Sequence, residues 1–442
     1  MVKIIIENPV WSKVIEGHDV VQSCLSYIKT IYIQKQFRKE AVDKRESFLM
    51  AKGLFYTGFV SKIEAYCKKQ KIPFSKKTKM DFQLSPENEP RVEGAVLDKG
   101  KYAFQSELIK KAIENQRGVI LSATASGKTV MMLGLISCFP SSKTLFLSDS
   151  KTPIMNFKKA IKDFNIDASN IHMSTIHSVF KKPENFNDFD IILIDECHSG
   201  MGSEKGMYKK FLTKTIAPIR LGFSGTLPDK DLSKLILEGL LGPVIGTFTI
   251  QEGMDLNVLT RPKIIVRMVP KNSTLRNLTG YNTVYKAGIV ENRGFNLAVV
   301  DDVKKNLDNN ESNLVLVTEI QHGKNIVEMA KRVHNMNLIF ANGKTEDSVR
   351  IEVARALGEK EIDGVVATTI FRKALNVPSL DNVYLAYDGK GSSGLLQAIG
   401  RGLRSKEGKI ETKIYDYFNP NHRYFVDHFG HRLCIYFQEG WM

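Results

Sequence analysis

Apolar and polar positions follow two patterns along this chain, and the change falls near residue 98. Before it, "KIIIENPV" (3–10) predicts a strand, and "VVQSCLSYIKTIYIQKQF" (20–37) has a mixed period that fits a helix or a strand. "GLFYTGFVSKIEAYCKKQKIPF" (53–74) predicts a glycine-bounded turn, a helix and a short exit strand. These pieces predict a small α+β domain over 1–97. Beyond it, short apolar runs alternate with helical stretches: "GVILSA" (118–123), "TLFLSD" (144–149), "IILIDE" (191–196) and "IRLGFSG" (219–225). The alternation fades over 249–259. It resumes with "PKIIVRMV" (262–269), "NLVLVTE" (313–319), "NLIFAN" (337–342), "GVVATT" (364–369) and "NVYLAY" (382–387). Strand–helix alternation implies parallel sheets covered by helices, so the fold class is α/β. Two such domains are expected, 98–255 and 256–442, joined near 255–261.

Length agrees with several cores, since 442 residues exceed what one ordinary core holds. Charge adds a partner class. A formal net charge of +15 favours a polyanion such as nucleic acid or a phospholipid surface, although surplus lysine also keeps a protein soluble. Six lysines and no acid fall within 68–79, with Tyr66 and Phe74 nearby. That segment fits a grip on a phosphate backbone and equally a solvated helix end. The five cysteines lie far apart without a C-x-x-C pair, which gives no sign of a zinc or iron–sulfur centre. A reduced, cytoplasmic protein without a membrane span is expected.

Candidate chemistry begins at "LSATASGKTVMM" (121–132). A buried strand, a loop of small residues and a helix bring the amides of Ser126 and Gly127 and a helix N-terminus towards phosphates. Lys128 would reach the β- and γ-phosphates of ATP, and the Thr129 hydroxyl would ligate Mg²⁺. Ser122 stands where such loops ordinarily open with glycine; the position demands smallness, which serine meets. Sixty-seven residues after Lys128, "IDECH" ends a strand in Asp195 and Glu196. Adjacent carboxylates at the edge where α/β folds bind ligands would divide the work. Asp195 would hold Mg²⁺, and Glu196 would orient and deprotonate the attacking water.

Three motifs in this order, "IDECH", "GFSGT" (222–226) and "QAIGRGLR" (397–404), resemble those of superfamily-two helicases and translocases. The resemblance runs from Tyr102 to the C-terminus and implies two tandem RecA-like domains. It implies that Gln105 lies near the adenine, and that Ser224 and Thr226 couple the nucleotide state to domain movement, with His198 bridging towards them. Gln397 would sit beside the attacking water or the γ-phosphate. Arg401 and Arg404 would reach that phosphate from the second domain. Nucleic-acid contacts map onto Ser150, Asn156 and Thr175 in the first domain and Thr318 and Thr368 in the second. There are departures: Ala125 replaces a common glycine, Asp149 a common proline, and Ala374 and Asn376 stand where Gly and Asp are usual.

Within that superfamily the chain resembles phage UvsW-type DNA helicases. The N-terminal "GFVSKIEAY" (58–66) and the closing "HRYFVDHFGHRLCIYFQEGW" (422–441) are similar to theirs, and the motor lacks large insertions. XPB-type and restriction motors share much of this core. The resemblance implies an ATP-dependent, Mg²⁺-requiring monomer that moves on single-stranded and branched duplex DNA, with no membrane partner and with other recombination or replication proteins as candidate partners. An RNA helicase, a restriction-complex motor subunit and a non-catalytic junction-binding protein are the alternatives.

Overall fold

The apolar runs after residue 98 become the strands of a six-stranded parallel sheet. Its order is Val244–Phe248, Arg117–Ser122, Ile219–Ser224, Ile191–Asp195, Thr144–Ser148, Ile171–Thr175. Thr144–Ser148 and Ile219–Ser224 are buried along their whole length, which is why they read as continuous apolar runs. The two strands that the pattern leaves unmarked, "VIGTF" and "IHMST", are the sheet's edges. An edge strand buries fewer side chains and carries a weaker apolar signal.

This computed structural model describes residues 1–442 apart from 36–37, 96, 98, 202–205, 369–379, 391–394, 396–398, 401–402, 404–408 and 410. It forms two compact units, Met1–Ser122 with Gly127–Phe248, and Ala123–Ser126 with Thr249–Met442. In the first unit, the opening segment makes a four-stranded sheet in the order Leu54–Tyr56, Trp11–Glu16, Val2–Ile6, Phe74–Thr78. The ambiguous stretch 20–37 contains both elements it fits. A helix, His18–Cys24, ends before the strand Ser26–Lys35, which pairs antiparallel with Arg38–Ser47 over ten residues.

The α+β segment shares a core with the first parallel sheet, so the unit runs on past the expected limit at 97. Phe55, Phe59 and Ile63 bury together with Leu237 and Leu240 of the helix Asp231–Leu241. The approach is close at Gly58, where a Cβ would fall 2.2 Å from the Glu238 carbonyl oxygen. Lys62 Nζ donates to Glu238 Oε2 at 2.8 Å beside it. An apolar helix face does not announce in sequence which neighbour covers it.

The second unit begins at Thr249. The helix Ile250–Asp255 starts with a capping box: Thr249 Oγ1 accepts from Glu252 N at 3.1 Å, and Glu252 Oε2 accepts from Thr249 N at 2.6 Å. Its Ile250 and Met254 enter the second unit's core with Leu314 and Val383, so the fading stretch belongs there. The second parallel sheet has the order Arg261–Met268, Glu411–Phe418, Asn382–Leu385, Asn313–Val317, Gly364–Thr368, Leu338–Ala341. Glu411–Phe418 was unmarked because a fully buried aspartate, Asp416, interrupts its apolar run. The helix Arg423–Gln438 supplies that aspartate's partner, Arg432, at 2.8 Å. Among the described residues no helix is long and apolar enough to cross a membrane.

Candidate nucleotide site and nucleic-acid contacts

Strand Arg117–Ser122 delivers the loop 123–127 to the N-terminus of the helix Lys128–Ser137. Gly127 caps that helix in the left-handed region, φ 88°, which favours glycine. A Cβ there would also fall 2.3 Å from Gln105 Nε2, so Gln105 packs directly against the turn. Ala125 is left-handed too, at φ 70°, which explains why glycine is the common residue at that place. Lys128 Nζ donates to the Ser122 carbonyl at 3.3 Å and lies 3.7 Å from Glu196 Oε1. Thr129 is the second residue of the helix.

Asp195 closes the central strand Ile191–Asp195, and the chain turns at once, with Glu196 at φ 49°. A left-handed glutamate is a strained backbone that the surroundings must hold in place. Burial pushes the Asp195 carboxyl up to about 7, the Glu196 charge pushes the same way, and Lys128 opposes both. A dication would favour the ionised form, and the Thr129 hydroxyl with the Asp195 carboxylate is the hard oxygen set that Mg²⁺ takes alongside phosphate oxygens. The residues fit the group.

His198 joins this carboxylate pair to the neighbouring strand. Its Nδ1 lies 3.4 Å from Glu196 Oε2 and 2.7 Å from Ser224 Oγ. Ser224 Oγ donates its one proton to the Thr226 carbonyl at 2.6 Å and accepts from Thr226 N at 3.2 Å. With that donation and acceptance the serine oxygen keeps a lone pair for a ring N–H, so the contact suits the tautomer protonated at Nδ1. The Thr226 hydroxyl is buried without a hydrogen-bond partner among the described residues.

Three expected nucleic-acid contacts of the first unit gather at one end of its sheet. Ser150 caps the helix Lys151–Asp163, which carries a half-buried Asn156. Thr175 pairs in register with Ser148 and hydrogen-bonds Ser178 at 2.9 Å. In the second unit, Thr318 is exposed just past Val317, and Val317 pairs with Thr368. The Thr368 hydroxyl is buried and has no hydrogen-bond partner among the described residues. Tyr285, which motif reading missed, hydrogen-bonds the Thr318 hydroxyl; its only sequence signal is the Tyr281–Tyr285 pair at helical spacing. Gln397, Arg401, Arg404, Ala374 and Asn376 lie outside the described residues. Of the six lysines, Lys76 pairs with Glu64 at 2.7 Å and Lys79 with Glu7 at 2.9 Å.

Comparison with known proteins adds two family matches: type III restriction enzyme, res subunit, over residues 154–229, and helicase conserved C-terminal domain over 298–406. The first contains Asp195, Glu196, His198 and Ser224; the second contains Thr318, Thr368, Gln397, Arg401 and Arg404. The chain is 24% identical over 356 residues to putative helicase 22 of a Sulfolobus islandicus filamentous virus, covering 70% of this chain and 61% of that protein. It is 24% identical over 335 residues to the ATP-dependent DNA helicase uvsW of Enterobacteria phage T4, covering 74% and 65% respectively. It therefore spans less than two thirds of either relative. Among solved structures, a fragment of a putative HsdR subunit of a type I restriction enzyme from Vibrio vulnificus has a TM-score of 0.52 at 16% identity, over 89% of this chain and 87% of that one. That likeness is one of fold.

Proposed function

This chain belongs to the superfamily-two helicases, and we propose that within that family it is an ATP-dependent DNA translocase that remodels branched DNA. The observation that carries the reading is the convergence of Lys128, Asp195, Glu196, His198 and Ser224 at one end of the first parallel sheet. Lys128 leaves its Ser122 and Glu196 contacts to meet the β- and γ-phosphates of ATP. Thr129 and Asp195 hold Mg²⁺, which supplies charge neutralisation on the phosphates. Glu196 orients and deprotonates the attacking water. Gln105 fixes the loop turn beside the base, and Ser126 and Gly127 offer amides. Gln397, Arg401 and Arg404 complete the charge clamp from the second domain.

Nucleic acid is held through groups that do not read bases: Ser150, Asn156 and Thr175 on one domain, Thr318 and Thr368 on the other. The net charge of +15 supports a polyanionic track. Lys68 and Lys69 at the end of the helix Val60–Lys69, Lys71 just after it and Lys77 on the edge strand Phe74–Thr78 hold duplex or junction while the motor pulls one strand 3′→5′ as a monomer. The branch-remodelling assignment is supported by the similarity to the phage helicase and covers branch migration, fork regression and D-loop unwinding.

Steady-state ATPase with equal nucleotide amounts of single-stranded, linear duplex, forked and four-way-junction DNA, and RNA, tests this. Preferential stimulation by branched DNA is expected. Equal stimulation by RNA, or none by any nucleic acid, would overturn it. The res-subunit match favours a restriction-complex motor as the second reading; that reading predicts a stable partner chain in the native mass.

A further inference from the structure

We propose that a cavity at the starts of the first unit's parallel strands takes one nucleotide of a DNA strand, its phosphate against Lys76 and Arg117 and its base against Phe82. The choice of a DNA strand rests on the reading of the chain as a DNA motor; the cavity is read from its own walls.

The cavity has a volume of about 460 Å³, within the range of pockets that hold small organic ligands. It lies between the edge strand Phe74–Thr78 of the N-terminal sheet and the first residues of the strands Arg117–Ser122, Ile219–Ser224 and Val244–Phe248, with Pro218 and Pro243 in its wall. The loop 123–127 follows the opposite end of Arg117–Ser122, about 17 Å along the strand. The cavity is therefore separate from the ATP site. Every residue that lines it belongs to the first compact unit.

Gln116 fixes one wall. It caps the helix Ala103–Asn115 in the left-handed region, φ 55°, where glycine is the ordinary residue. What glutamine adds is its amide: Oε1 accepts from Leu84 N at 2.9 Å, and Nε2 donates to the Leu84 carbonyl. This clamp holds the preceding residues Asp81, Phe82 and Gln83 in the lining, with Phe82 half-buried.

The charge of the site comes from two arginines. Arg117 and Arg220 are partners in register on adjacent parallel strands. Arg117 donates to the carbonyls of Pro9 at 3.0 Å and Leu241 at 3.3 Å. Arg220, 1% exposed, donates to those of Leu212 at 2.9 Å and Ala217 at 3.2 Å. Neither guanidinium meets a carboxylate among the described residues. Burial pulls Arg117 down to about 10 and Arg220 to about 9, so both stay cationic at neutral pH. Like charges opposite one another on neighbouring strands repel, and desolvated cations without a counter-charge are costly. An anion in the cavity supplies the charge that the fold omits. Lys76 adds a third cation; its exposed pair with Glu64 at 2.7 Å is weak enough to exchange for a phosphate.

The rest of the lining suits a nucleotide better than a bare anion. Asp81 is the one carboxylate among the described residues of the wall, and it accepts from Gln83 N at 3.0 Å. It keeps phosphate away from its end of the cavity and leaves that end to the donors of a sugar or base. Phe82 offers a stacking face, and the side-chain amides of Gln83 and Asn115 offer donors and acceptors for a base edge.

The test measures binding of a fluorescein-labelled oligo-dT to the full chain without ATP, over a salt series, for wild type, Phe82→Leu and Lys76→Met. Arg117 is left in place because its carbonyl contacts tie the N-terminal segment to the first sheet. Phe82→Leu stays apolar and loses only the stacking face. Its oligonucleotide affinity is expected to fall at least about fivefold, with basal ATPase, the KM for ATP and the melting temperature unchanged. Lys76→Met is expected to reduce the slope of log affinity against log salt by about 0.7, one phosphate contact on a single strand. Unchanged affinity in Phe82→Leu, or an unchanged slope in Lys76→Met, would overturn the proposal and leave the motor reading intact. A loss of affinity that tracks a fall in melting temperature marks a structural role and overturns it as well. Free dTMP that binds the wild type and not Phe82→Leu, with oligonucleotide affinity equal in both, would overturn the strand in favour of a free nucleotide. A wild type that binds no DNA would overturn the motor reading and the strand together.

Discussion

His198 Nδ1 stands 2.7 Å from Ser224 Oγ and 3.4 Å from Glu196 Oε2. One imidazole thus touches the acid proposed to activate water and the hydroxyl that ends the adjacent strand. Ile191–Asp195 and Ile219–Ser224 are paired in register, so the contact is set by the sheet itself. Glu196 cannot change its position without changing what Ser224 and, through it, the Thr226 backbone experience.

His198→Ala is therefore expected to uncouple the motor. Parallel assays of ATP turnover and strand displacement should show displacement per ATP falling at least about fivefold, with turnover falling less. A variant that loses both in the same proportion would place His198 in the chemistry alone.

Gly127→Ala places a Cβ 2.3 Å from Gln105 Nε2 at a backbone φ of 88°. The left-handed conformation alone costs an L-residue about 1–2 kcal/mol, and Gln105 must also move. Thermal unfolding should show the loss, and the KM for ATP should rise about tenfold, equivalent to about 1.4 kcal/mol of binding. Wild-type values for both would mean that the turn is not tightly set.

Arg432→Ala leaves Asp416 and Asp388 buried without their cation; both carboxylates and the guanidinium are no more than 4% exposed. Breaking a buried pair from one side costs about 3–5 kcal/mol. Urea unfolding of the variant should show a loss of that size. A loss under about 1 kcal/mol would place the network in a far more hydrated setting.

The motifs that mark the first unit's candidate site are legible because each is local in sequence. The small-residue loop before Lys128 and the paired acids Asp195 and Glu196 each lie within a few residues at a strand end, so each motif is read locally, while the sheet brings Lys128 within 3.7 Å of Glu196. The parts that sequence left unread are long-range. Asp388 meets His428 and Arg432 forty and forty-four residues away, and Tyr285 meets Thr318 thirty-three residues on. No periodicity marks such pairs. The shared core of Phe59 with Leu237 and Leu240 was hidden in the same way, and the edge strands Ile171–Thr175 and Val244–Phe248 were hidden by their partial exposure. Thr249 and Glu252 show the reverse case: a T-x-x-E cap is a sequence signal, and it marks the first helix of the second unit.

Branch migration of a four-way DNA junction, followed with ATP and Mg²⁺ for the wild-type chain and for Glu196→Gln, tests the central claim most directly. The wild type should resolve the junction into duplex products, and Glu196→Gln should bind ATP while losing turnover and migration together by about 10²-fold or more. Migration by Glu196→Gln at the wild-type rate, or a wild type that hydrolyses ATP on the junction without moving it, would contradict the account.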